Sequence, residues 1–180
     1  YQINAMLKLA KSESGMVINS TELDANPYLL GVENGCVNLR SGKLEPNLPE
    51  HYITRYCEAS FDEDAECPRW LQFLDEVFES DEDTIYAVQL LLGYTLTGLS
   101  TEEIMVFCVG YGANGKSIFG NIVSHILGSY SKTAPSTLLS ARRADDHSPR
   151  SDLAMLGSAR LVSINELPGG NAKKFDWSLI

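Results

Sequence analysis

Apolar residues recur with helical spacing in some stretches of the chain and with strand-like spacing in others. Near the start, Ile3, Met6, Leu7 and Leu9 sit among the polar Lys8 and Lys11, which predicts a short helix over 2–12. Asn26-Pro27 then interrupts regular structure. From 29 to 44 the pattern changes to short β segments around Asn34-Gly35 and Ser41-Gly42. Both are tight-turn pairs flanked by apolar residues, so two successive hairpin-like turns are predicted. A further strand is predicted over 52–59, before the acidic connection FDEDAECP.

Helical spacing returns at Pro68, a residue suited to a first turn. Trp70, Phe73, Leu74, Val77 and Phe78 fall on one face, with Gln72, Asp75, Glu76 and Glu79 on the other. That aromatic stripe reads as core rather than as a platform for stacking bases. Ser80 is a candidate cap for the next helix, with Asp81, Glu82 and Asp83 where the positive end of its dipole favours acids. From 85 to 96 this helix is apolar nearly all round, which predicts burial. Gly98-Leu99-Ser100 then reads as a joint between a small αβ domain, residues 1–98, and a second domain, residues 99–180.

The second part carries the chemistry. Residues 104–109, IMVFCV, form a continuous apolar run of the kind that makes a buried parallel strand. GYGANGKS, from Gly110 to Ser117, follows at once and fits the phosphate-binding pattern G-x-x-x-x-G-K-[ST] at every fixed position. Gly110, Gly112 and Gly115 allow the chain to curl so that backbone N–H groups converge on one centre, and Ala113 and Asn114 complete the loop. Lys116 supplies a cation for the β- and γ-phosphates, and the Ser117 hydroxyl can ligate Mg²⁺. ATP and Mg²⁺ are therefore the expected ligands.

Ile118, Phe119, Ile122, Val123, Ile126 and Leu127 predict an amphipathic helix behind the loop, stopped at Gly128. Its N-terminus would lie under the phosphates. Further on, RLVSINE reads as a short strand through Leu161, Val162 and Ile164, with Glu166 at its C-terminal end. In a parallel sheet that is the edge where the phosphate loop also opens, so Glu166 is the candidate acid for holding Mg²⁺ or orienting the attacking water. Asn165 stands where many such enzymes carry Asp, and an amide is the poorer metal ligand. The expected catalytic pair is Lys116 and Glu166, and the expected metal-binding residues are Ser117 and Glu166.

Composition bounds the alternatives. The chain has 180 residues, 44% hydrophobic and 21% charged, which excludes wholesale disorder. No run of 18 apolar residues and no secretory leader occurs, so neither a membrane span nor export is expected. Cys36, Cys57, Cys67 and Cys108 are scattered and read as reduced thiols of a cytoplasmic protein. Residues 1–100 hold six Lys and Arg against 17 Asp and Glu, whereas 101–180 hold eight against seven. The acidic first part repels a phosphate backbone and is a poor surface for DNA. It is either a solvated face or one that meets a basic neighbour. Asp145-Asp146-His147 reads as a polar surface loop, Arg142, Arg143 and Arg150 as solvated cations, and His125 is assigned no role.

NPYLLGVENGCVNLRSGKL, CPRWLQFLDEVFESDED, LLGYTLTG, GYGANGKS and ARLVSINE occur in this order. With them the chain, from about residue 4 onward, resembles the phage and plasmid primase-helicases related to the poxvirus primase-helicase. These form part of the superfamily 3 helicase branch of the AAA+ ATPases. The resemblance implies an α/β protein: a small αβ accessory domain, then the first part of a P-loop AAA+ core with a parallel sheet. It also implies a homo-hexameric ring that hydrolyses ATP and moves along DNA during replication, usually with 3′-to-5′ polarity. Gly110, Gly112, Asn114, Gly115, Lys116 and Ser117 would bind nucleotide, and Glu166 would be the Walker B acid, which members often use singly. The sensor strand, the arginine finger and most DNA-contacting loops would follow residue 180. The 180-residue chain is accordingly expected to bind ATP weakly and hydrolyse it negligibly alone. Two rival readings are a P-loop kinase of small molecules, with arginines 142–150 as its lid, and a non-catalytic module that binds replication proteins.

Overall fold

In the computed structural model, residues 2–13, 15–139, 153 and 155–165 are described. Helix α1, Gln2–Ala10, forms as the sequence predicts, and none of its residues is buried. Three antiparallel strands follow in the order β1-β2-β3: Leu29–Val32, Gly35–Asn38 and Lys43–Glu45. Both predicted turns are present. Val32 pairs with Gly35 across the two-residue connection Glu33-Asn34. Asn38 pairs with Lys43 across a four-residue one, in which Gly42 takes the left-handed backbone (φ 69°) that closes such a loop.

The strand predicted over 52–59 is replaced by an extended segment beside β1. It makes two isolated bonds there, Cys57 N–H to Gly31 O (2.9 Å) and Glu33 N–H to Ala59 O (3.2 Å). A full ladder fails because the Gly31 N–H is already spent on the Tyr130 hydroxyl (2.9 Å), 99 residues away.

Helix α2, Pro68–Val77, begins at its proline and buries Leu74 completely. Helix α3, Glu82–Thr97, is capped by Asp81 rather than by Ser80: the Asp81 carboxylate accepts from Thr84 N–H (3.2 Å) and Thr84 Oγ1 (2.7 Å). The expected burial of α3 is not observed, for none of its residues is buried, and Tyr86 and Leu90 are more than half exposed. The helix packs on β1 from one side, and among the described residues no second layer covers the row through Tyr86, Leu90 and Gly93.

Residues 104–109 also depart from expectation. They form no strand, and Ile104, Val106, Phe107 and Val109 are all at least half exposed. An apolar β-prone run becomes a strand only through a ladder, and among the described residues none pairs with it. Helix α4, Lys116–Leu127, starts and stops where predicted, with Gly128 as its C-cap. Its inward face is narrower than the sequence suggests, because Val123 and Leu127 are buried while Ile118 and Ile126 are exposed. Beyond it, β4, Ser131–Thr133, and β5, Leu161–Ser163, pair in parallel, so the strand expected before Glu166 forms, but beside β4 and not beside a strand at 104–109.

The main core draws on both parts of the chain: Leu30, Val32, Val37 and Cys57 pack with Val123, Leu127 and Tyr130. Two arginines cross in opposite directions. Arg55 donates to Ser129 O (2.8 Å) and Gly157 O (3.0 Å). Arg160, next to β5, donates to Leu29 O (2.6 Å) and Leu96 O while its guanidinium lies 4.4 Å above the Tyr130 ring. No described helix is long and apolar enough to cross a membrane.

Candidate functional site

The loop from Gly110 to Ser117 leads directly into α4. Gly115 is the N-cap of the helix at φ 81°, and Phe119 N–H closes the first turn on Gly115 O (2.9 Å). Ala113, two residues earlier, also has left-handed backbone (φ 61°), which costs a residue with a Cβ roughly 1 kcal/mol or more. Alternation of hand along a short loop turns successive N–H groups toward one side, and the first amides of a helix have no intrahelical acceptor. The loop and helix start therefore present donors and the positive end of a dipole together.

The Lys116 side chain folds back over this loop. Its ammonium donates to Gly110 O (2.9 Å), Tyr111 O (3.2 Å) and Asn114 Oδ1 (2.5 Å). Three oxygens thus hold the cation at the mouth of the curl, where an anionic oxygen could replace them one for one. Ser117, at the second position of α4, is exposed, as are Gly112, Ala113 and Tyr111. The structure thus gathers Gly110, Tyr111 and Asn114 around the Lys116 ammonium, with Gly115 as the cap of the helix that carries it.

Glu166 lies outside the described residues, as do Arg142, Arg143, Arg150 and the Asp145-Asp146-His147 cluster. Asn165, just before Glu166, is exposed two residues beyond the end of β5. Among the described residues no group of three or more His, Cys, Asp or Glu could hold a metal ion. His125 meets Glu58 at 3.4 Å on the surface.

Two features of the folded chain, one beneath the loop and one away from it, were not visible in the sequence. The first is the support beneath Gly115, where a Cβ would come within 2.6 Å of Val77 and 3.4 Å of Phe73, both on α2. The spacing of Phe73 and Val77 marked them as an inward face but not what they face. The second is Arg160, whose burial lowers its pKa and whose neighbour Tyr130 has its hydroxyl pKa raised, chiefly by burial. No local pattern distinguishes this arginine from a solvated one.

Comparison with known proteins places the chain in a family. The family described as "D5 N terminal like" matches residues 2–79. The "Putative helicase L207/L206" of Acanthamoeba polyphaga mimivirus is 31% identical over 147 residues, 80% of this chain. The chain is a relative of the viral primase-helicases. A second relative, the "Putative primase C962R" of African swine fever virus (isolate Warthog/Namibia/Wart80/1980), is 29% identical over 136 residues, 72% of the chain. A third, the "Putative helicase 184R" of Invertebrate iridescent virus 6, is 26% identical over 136 residues, 73% of the chain. The chain spans 15% of the mimivirus protein and 14% of each of the other two.

Proposed function

We propose that residues 110–117 bind the phosphates of ATP with Mg²⁺, and that the chain belongs to the ATP-driven motor of a DNA replication helicase. The observation that carries this reading is the Lys116 ammonium, held by three loop oxygens at the start of a helix. A triphosphate would take over that ammonium, and the loop amides and the α4 dipole would add neutral donors around it. Ser117, one residue into the helix and exposed, is suited to the metal, which would neutralise phosphate charge and orient the terminal group. Glu166, following β5, is assigned to the attacking water. The names of the relatives support a replication role, and a homo-hexameric ring with DNA in its channel is part of the same proposal.

The test is titration of the chain with ATP in the presence and absence of Mg²⁺, followed by calorimetry. Binding is expected for the native chain. Lys116→Ala should weaken it on the order of 10- to 100-fold, the worth of one charge-assisted contact, with the circular dichroism spectrum unchanged. Equal affinity in the variant, or no binding by the native chain, would overturn the assignment. In the full-length protein, single-stranded DNA should stimulate hydrolysis; a phosphorylated small molecule as product would point to a kinase instead.

A further inference from the structure

The phosphate loop rests on a helix from the distant, acidic part of the chain. Phe73 and Val77 stand one turn apart on α2 and both lie beneath Gly115. An added Cβ there would meet Val77 Cγ2 at 2.6 Å and the Phe73 ring at 3.4 Å. One turn earlier on α2, Trp70 stacks on Phe73 (5.6 Å between centroids) and on Phe119 of α4 (5.7 Å). Leu74, on the same face of α2, is fully buried. Trp70, Phe73 and Val77 thus make a saddle under the first turn of α4.

The saddle touches the glycine at which the loop turns into α4. A glycine at φ 81° can reach backbone states that other residues avoid, and each such state would swing the α4 amides away from a common centre. Val77 and Phe73 pack closely against the side of Gly115 where a Cβ would stand, which limits its movement toward α2. The rest of the loop, from Gly110 to Asn114, is exposed. Order at the helix start is therefore imposed from below, before any ligand arrives, and preorganisation of this kind raises affinity by lowering the entropy lost on binding.

We propose that Phe73 and Val77 are positioning residues for the phosphate loop, and that α2 links occupancy of the loop to the first part of the chain. The proposal rests on the reading of 110–117 as a nucleotide-phosphate site and adds a means of regulating it. Linkage makes the coupling reciprocal: whatever stiffens α2 tightens ligand binding, and a bound ligand stiffens α2 by the same factor. Trp70, between α2 and α4, reports on it.

The experiment uses the full 180-residue chain carrying Trp177→Phe, so that Trp70 is the one remaining tryptophan of two. Four quantities are measured: amide hydrogen exchange over 110–119, affinity for Mg-ATP, Trp70 emission, and melting temperature. Val77→Ala and Phe73→Ala should speed exchange over 110–119 and weaken Mg-ATP binding by about tenfold. Phe73→Leu should restore most of both, and Mg-ATP should shift the Trp70 emission. Cys36→Ala, a truncation on β2 beside Pro46 and His51 and outside the cluster that packs on α4, should lower the melting temperature without altering loop exchange. Val77→Ile adds a single methylene toward Gly115 at a half-buried position, and should perturb loop exchange even if the truncated variants fail to fold. Native binding with unchanged exchange and affinity in Val77→Ala and Val77→Ile would overturn the coupling and leave the nucleotide site intact. An equal loop response in Cys36→Ala would also overturn it, by reducing the saddle to general stability. Faster loop exchange in the variants without Mg-ATP binding by the native chain would overturn both.

Discussion

Arg160 joins three elements that are far apart in sequence. Its guanidinium donates to carbonyls at Leu29 and Leu96 and covers the Tyr130 ring. Truncation would leave two partly buried acceptors without a charged donor, each such bond contributing roughly 1.5–3 kcal/mol. Arg160→Ala is expected to lower stability by about 3 kcal/mol in urea titration, with Arg160→Lys intermediate. Arg69, paired with Glu76 at 3.4 Å on an exposed surface, should cost under about 1 kcal/mol when removed. Close by, burial pushes the Cys57 thiol up to about 11, against the opposing pull of Arg160. A folded-state pKa above the ordinary 9.0 means the contribution is whole below pH 9 and is lost as pH rises through about 11. The melting temperature should therefore fall across that interval, and less steeply in Cys57→Ala.

At the scale of elements, α3 shows how a helix is started by one residue. Two hydrogen bonds from Thr84 hold the Asp81 carboxyl below its ordinary pKa. A lowered pKa means that the stabilisation is present above the ordinary value near 3.8 and disappears as pH falls through the folded one. Asp81→Ala should melt earlier than the native chain at neutral pH, and the two melting curves should converge in acid. Elements with local causes were legible in the sequence: the hairpin turn at Gly42, the first turn at Pro68, the loop's glycines, and the stop at Gly128. The start of α3 was misassigned by one residue because Ser80 and Asp81 are both good caps, and only the observed bonds decide between them. The strand expected over 52–59 failed for a different reason. Its would-be partner Gly31 gives its N–H to a tyrosine 99 residues away, and no spacing rule reaches so far. The candidate site divides along the same line: the lysine and the glycines are written in one octapeptide, whereas the saddle under Gly115 exists only after folding.

For the molecule as a whole, the core shared across residue 98 has a direct consequence. Leu30, Val32 and Val37 from the first sheet are covered in part by Val123, Leu127 and Tyr130. Residues 1–98 alone would expose that surface and lose the donors from Arg160. The shorter chain is expected to be poorly folded, with weak near-ultraviolet circular dichroism and rapid proteolysis, while the 180-residue chain unfolds in one transition. The run at 104–109 has the opposite character. Its six uncharged residues lie largely open to solvent, without a ladder partner among the described residues. Such a segment is a ready template for strand addition, and in a crowded solution the first structure it would seed is its own aggregate. Solubility at high concentration is therefore controlled by a few side chains just ahead of the phosphate loop, and one lysine placed among them would act as a gatekeeper.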